Sequence, residues 1–188
     1  MARTKKNQVQ ELRFDEKLVL FKFMQRELGI TDMKLLARQM NLPEEEGINE
    51  STGNTLFIEY FFKQPGCRIP ETKLRVYDEN IRRYTQKIGE NRGGLTWKYF
   101  QYLSLLFTEI YLDRWFSDKE SFQQELTDFL HDEDDRTLGQ IGFQDFDLAK
   151  MNKLAYMSAT GSGKTLILHV NILQFSYYLQ RAKSINAR

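Results

Sequence analysis

Residues 158–165, Ser158-Ala159-Thr160-Gly161-Ser162-Gly163-Lys164-Thr165, set two glycines, a lysine and hydroxyl groups in an order suited to holding a polyphosphate. Gly161 and Gly163 free the backbone to curl until successive N–H groups point inward, where Cβ atoms would otherwise obstruct phosphate oxygens. Lys164 follows as a point charge that reaches the outer phosphates, and the Thr165 hydroxyl supplies one ligand for Mg²⁺. Thr160 and Ser162 fill out the turn. A simpler reading is a Gly-Ser turn capping a helix with Lys164 merely solvated. The elements flanking the turn argue against it.

Upstream, the apolar run at residues 154–158 predicts a short buried strand, and downstream a helix is predicted from Lys164 onward. Leu166, Ile167, Val170, Leu173 and Tyr177 recur at spacings of three and four, the stripe expected of a helix that covers a sheet. The first N–H groups and positive dipole end of such a helix favour an anion at the turn. The general Walker A pattern, G-x-x-x-x-G-K-[ST], would place its first Gly on Ser158, so the strict pattern fails. Residues 159–165, A-T-G-S-G-K-T, are instead similar to motif I of superfamily 2 helicases and translocases, whose loop often lacks that first Gly.

The 188 residues suffice for one good core or two small ones. With 28% charged residues and a formal net charge of +1, the chain lacks the global basic excess of a general nucleic-acid coat. The basic start, residues 1–6, reads as a solvated end. Cys67 is the only cysteine, which excludes an intramolecular disulfide and cysteine-based metal spacing and points to a reducing, cytoplasmic setting. As a nucleophile Cys67 would have only His131 and His169 as bases, a weak arrangement. No run approaches the roughly 18 apolar residues of a membrane span, and the polar residues after the basic start do not form a signal peptide.

The elements that must position the loop are mostly helical. Periodicity predicts helices near 10–28, 31–41 and 50–63, and then a loop containing Pro65, Gly66 and Pro70. A charged helix follows over 71–92, with Leu74, Tyr77, Ile81, Tyr84 and Ile88 on one face, and stops at Gly93-Gly94. Thr96 is placed to cap the next segment, 97–116, which is apolar nearly all round and predicts the central core helix. Its aromatic residues would also suit base stacking, but Leu103, Leu105, Leu106 and Ile110 intermix with them and leave no polar face for a phosphate backbone. A further helix is predicted to about residue 130, followed by the acidic run His131-Asp132-Glu133-Asp134-Asp135. That run resembles the D-E-x-[DH] box of helicases but precedes the loop instead of following it, so it reads as a solvated helix-terminal segment.

Taken together, residues 98–116 and 152–175 resemble the N-terminal part of a DEAD/DEAH-box (superfamily 2) helicase family protein akin to the Res subunit of type III restriction enzymes. The resemblance is strongest over 95–116 and 150–180 and is weaker before them. It implies ATP and Mg²⁺ as cofactors, with Thr160, Gly161, Ser162, Gly163, Lys164 and Thr165 on the phosphates and Thr165 also on the metal. It implies a parent protein that couples ATP hydrolysis to movement on duplex DNA beside a methyltransferase or specificity subunit. An upstream Gln that reads adenine is matched by Gln101, with Gln144 as the alternative nearer the loop; an amide both donates and accepts, as the adenine edge requires.

The fold expected is therefore mainly α: a helical region over 1–150, followed over 151–188 by the truncated first strand, loop and helix of a RecA-like α/β domain. Residues 166–188 hold no Asp or Glu, so no Walker B acid or later catalytic motif is found, and the chain is expected to be a fragment, inactive alone. Two other functions compete. Residues 1–150 would serve as a helical protein–protein interaction module, or the loop would belong to a compact kinase, which usually begins with its loop.

Overall fold

Short side chains set three of the helix starts. Asp32 accepts the N–H groups of Lys34 (2.7 Å) and Leu35 (3.2 Å), Thr55 accepts that of Ile58 (3.2 Å), and Asp118 accepts that of Ser121 (2.9 Å). Each satisfies a donor that a first helical turn leaves without an intrahelical partner. In the computed structural model, which describes residues 12–186 apart from 43, 45, 91 and 138, these caps open three of seven α-helices. After a 3-10 turn at Phe14–Lys17 come α1 (Val19–Glu27), α2 (Met33–Met40), α3 (Leu56–Phe62), α4 (Glu71–Gly89), α5 (Tyr99–Ser117), α6 (Lys119–Arg136) and α7 (Lys164–Asn186). The basic residues 1–6 lie outside the described residues.

Helix α5 is central, as its all-round apolar sequence predicts. Only Phe100 near its start and Ser117 at its end are exposed, while Tyr102, Leu105, Leu106, Glu109 and Ile110 are fully buried. Helices α4, α6 and α7 pack against it, α7 also lies on α4, and α1 lies on α6. Phe23 of α1 meets Phe122 and Phe129 of α6 at ring separations of 6.0 and 5.6 Å, and Phe57 of α3 meets Tyr102 of α5 at 5.2 Å. Ile167 and Val170 of α7 belong to the same hydrophobic core as residues of α1–α6.

Several boundaries differ from expectation for local reasons. The helix predicted over 50–63 begins only at Leu56, because the Asn49 side chain accepts the N–H of Ser51 (3.0 Å) and holds a turn there. Thr96 does not cap α5. The helix starts at Tyr99, where the Gln101 side chain accepts the N–H of Lys98 (2.9 Å). Helix α6 runs to Arg136, so the acidic run 131–135 is its last turn; Asp134 accepts the N–H groups of Ile141 (3.0 Å) and Gly142 (3.1 Å) and folds the following connection back.

The largest correction concerns the strand expected at 154–158. No strand or sheet occurs among the described residues, and the two isolated bridges, Leu28 with Cys67 and Ile48 with Thr55, lie elsewhere. The truncated RecA-like α/β unit is thus replaced by an all-helical arrangement. The cause is that a strand exists only through ladder bonds to a neighbour. The 154–158 segment rests on helices instead: Leu154 packs at the edge of the core and the Tyr156 hydroxyl pairs with Thr108 of α5. Accordingly α7 covers α5 and α4, not a sheet. Among the described residues no helix is long and apolar enough to cross a membrane.

The packing of α3, α4 and α5 converges on Asp78, which is wholly buried. Its carboxylate accepts the N–H of Thr55 (3.1 Å), the hydroxyls of Thr55 and Tyr102, and Nε of Arg82 (2.9 Å). Burial and the Asp78 charge beside it both push the Tyr102 phenol well above its ordinary range, so it stays a donor. Asp78→Ala removes the acceptor and strands all of these donors, and is expected to destabilise the fold by about 3–5 kcal/mol, measured by urea unfolding.

Candidate functional site

The loop lies where the starts of α5 and α7 meet. Gly163 ends it, and its carbonyl accepts the N–H groups of Leu166 (2.9 Å) and Ile167 (3.1 Å), so Lys164 and Thr165 carry first-turn N–H groups without an intrahelical acceptor. Ser162 N–H bonds to the Ala159 carbonyl (3.3 Å) and closes the turn between them. Gly161 and Gly163 both adopt left-handed backbone, with φ of +79° and +82°. This is the conformational freedom for which the sequence places glycine there.

The two glycines face different surroundings. A Cβ on Gly161 would meet nothing within 4 Å, whereas one on Gly163 would stand 2.5 Å from Nε2 of Gln101. Gln101 is the residue that ties α5 to the loop: its Nε2 donates to the Ser162 carbonyl (2.8 Å) while its Oε1 accepts from Lys98 N–H (2.9 Å). Both ends of the amide are therefore engaged within the chain, and an adenine contact through Gln101 would replace the bond to the loop. Gln144, the alternative, is exposed in the connection after α6.

Lys164 curls back over the loop, its Nζ donating to the carbonyls of Ser158 and Ala159 at 3.0 Å each. The ammonium group and the first N–H groups of α7 give this corner a local positive field, and Thr160, Gly161, Lys164 and Thr165 are exposed. The Ser162 hydroxyl is buried without a hydrogen-bond partner. These features fit a polyphosphate: left-handed glycines, free first-turn amides, open space on the Gly161 side and a lysine already positioned over the turn. For Mg²⁺ the fit rests on the exposed Thr165 hydroxyl. Among the described residues no group of three or more His, Cys, Asp or Glu is arranged to hold a metal, so phosphate and water oxygens would complete the shell.

No family model, curated protein or solved structure matches this chain. The site is accordingly read from its own geometry.

The sequence did not single out the groups that anchor the segment before the loop. Tyr111 donates its hydroxyl to the Met151 carbonyl, and Thr108 meets both Tyr156 and Asn171 of α7. Burial pushes the Tyr111 phenol up to about 12 and the Tyr156 phenol higher still, so both remain protonated. The only sequence signal, and for Tyr111 alone, was the aromatic richness of α5, which reads equally well as core. Elsewhere, burial raises the Cys67 thiol, whose Sγ lies 3.7 Å from the Ile69 carbonyl, an environment that disfavours the thiolate. His131 pairs with Asp145 at 2.6 Å, a bond that raises its pKa.

Gly161→Ala is expected to cost about 1 kcal/mol, from left-handed strain alone. Gly163→Ala should cost roughly 1 kcal/mol more, since its Cβ displaces the Gln101 amide from the Ser162 carbonyl. Thermal unfolding of both variants, repeated with Gln101→Ala, checks this: the extra cost should vanish once Gln101 is removed.

Proposed function

We propose that residues 158–165 bind the phosphates of ATP together with Mg²⁺, and that the chain is the ATP-binding N-terminal part of a DNA helicase or translocase resembling the Res subunit of type III restriction enzymes. The observation that carries the proposal is the loop: left-handed Gly161 and Gly163, Lys164 held over the turn, and the open amide end of α7 immediately after it. In this reading the loop amides and Lys164 hold the β and γ phosphates, Thr160 and Ser162 line the turn, and the Thr165 hydroxyl meets Mg²⁺. Bound Mg²⁺ neutralises phosphate charge; the chain's own residues bind and orient the triphosphate.

The coupling of hydrolysis to movement on duplex DNA, the methyltransferase or specificity partner and the cytoplasmic setting rest on the sequence resemblance. No catalytic residue is assigned within residues 1–188. A second reading, a helical protein–protein interaction module, moves from the residues 1–150 expected for it to α7, where Leu168, Ile172 and Phe175 form an exposed apolar row on one face.

Titration of the purified chain with a fluorescent ATP analogue and Mg²⁺ tests the first reading. Lys164→Ala should weaken binding roughly 10- to 100-fold, the loss of a charge-assisted contact, while the helical circular dichroism spectrum is unchanged. Equal affinity in the two proteins would overturn the role given to Lys164, and absence of binding in both would favour the interaction reading.

A further inference from the structure

Helix α7 is held to the body by a buried polar cluster that the loop chemistry does not use. Glu109 of α5 is wholly inaccessible, and its Oε2 accepts Asn80 Nδ2 of α4 (2.9 Å) and the Tyr178 hydroxyl of α7 (2.8 Å). Its other oxygen, Oε1, is buried with no hydrogen-bond partner. Gln174 of α7, also wholly buried, lies beside the same carboxyl and donates Nε2 to the Leu105 carbonyl (2.9 Å), which leaves its own Oε1 without a donor. Two buried acceptor oxygens in one cluster each lack a donor. Turning the Gln174 amide over does not cure this, since it would set Gln174 Oε1 against the Leu105 carbonyl, acceptor facing acceptor, and Gln174 would still lack a donor. One proton on Glu109 supplies the missing donor.

The surroundings hold no cation bonded to that carboxyl. On α4, Asn80 Oδ1 is taken by Arg83, which also reaches Tyr84, and Tyr77 donates to Asp113 (2.7 Å). On α5, the like charge of Asp113 is the nearest acid along the helix and is itself paired with Lys73 (2.9 Å) and Arg181 (3.7 Å). On α7, Tyr177 faces Arg83, and Tyr178 donates to Glu109. The basic side chains thus neutralise Asp113 and leave Glu109 to neutral donors.

We propose that Glu109 is a proton-held latch: its carboxyl is protonated when α7 is docked, and loss of that proton loosens α7 from α4 and α5. Burial first, and the Asp113 charge with it, lift the Glu109 carboxyl to about 7 against the bonds from Asn80 and Tyr178 and the nearby Gln174 amide, which lower it. The folded chain then keeps a proton that the unfolded chain releases near the ordinary value of 4.5. Stability from this group is fully present below 4.5 and is lost as pH rises to about 7. Gln174 and Tyr178 lie roughly three and four turns along the helix that Lys164 begins, so the latch sets the position of the helix carrying the loop's amides. The latch operates whether or not nucleotide binds.

The test is amide hydrogen exchange of α7 in the full chain, corrected for intrinsic pH dependence, together with carbon-13 NMR titration of the glutamate carboxyls. In the wild type, α7 protection should fall on the order of a hundredfold between pH 4.5 and 7, and one glutamate should titrate near the upper end. Glu109→Gln should flatten that profile. Tyr178→Phe, which removes a donor to the ionised form, should move the midpoint to higher pH. All glutamates titrating near 4.5, or a pH profile of α7 unchanged in both variants, would overturn the latch; neither measurement involves nucleotide.

Discussion

Helix α5 has almost no solvent face, and that constraint governs the rest of the structure. A helix wrapped on all sides has to satisfy every polar group it carries with partners from its neighbours. Tyr102, Glu109 and Asp113 all sit on α5, and each is bonded to side chains of the surrounding helices. Tyr102 joins it to Asp78 and hence to the cap of α3; Glu109 joins it to α4 and α7; Asp113 joins it to Lys73 and Tyr77 of α4. The apolar residues between them provide the bulk of the burial, and the polar ones fix the rotation and register of each helix around α5.

The loop inherits its geometry from the same arrangement. It is suspended between the start of α5, through Gln101, and the start of α7, whose own position is fixed by Ile167, Val170, Gln174 and Tyr178 in the core. The stretch before it is pinned by hydroxyls of α5 instead of by a sheet ladder, through Tyr111 to Met151 and Thr108 to Tyr156. A glycine-bearing loop is thereby built onto helices. Its conformation depends on the two left-handed glycines and on the first-turn amides of α7, which need no strand beside them.

Particular residues show how far the sequence reached. The helices were legible because their apolar residues recur at helical spacing, whereas their ends were read less well: α4 stops at Gly89, short of the expected Gly93-Gly94, and Thr96 does not cap α5. Of the α7 stripe, Ile167 and Val170 are buried and Leu166, Leu173 and Tyr177 are half-buried, but Gln174 and Tyr178 are buried as well. A polar Gln within a helix reads as surface until a neighbouring carbonyl and carboxyl are known to face it. The strand at 154–158 failed for a related reason: a short apolar run is compatible with any buried extended segment, and only a pairing partner makes it a strand.

By itself, then, the sequence determined the loop's composition, the number and approximate span of most helices, and the central place of α5, since these follow from residue type and local periodicity. Tertiary structure alone decided that residues 154–158 pack on helices, that Gln101 holds the loop instead of standing free, and that Asp78 and Glu109 are enclosed among partners far away in the chain. Those outcomes depend on which groups are brought within hydrogen-bond distance and shut off from water. No local pattern encodes that, because the desolvation of a carboxyl is a property of its neighbours.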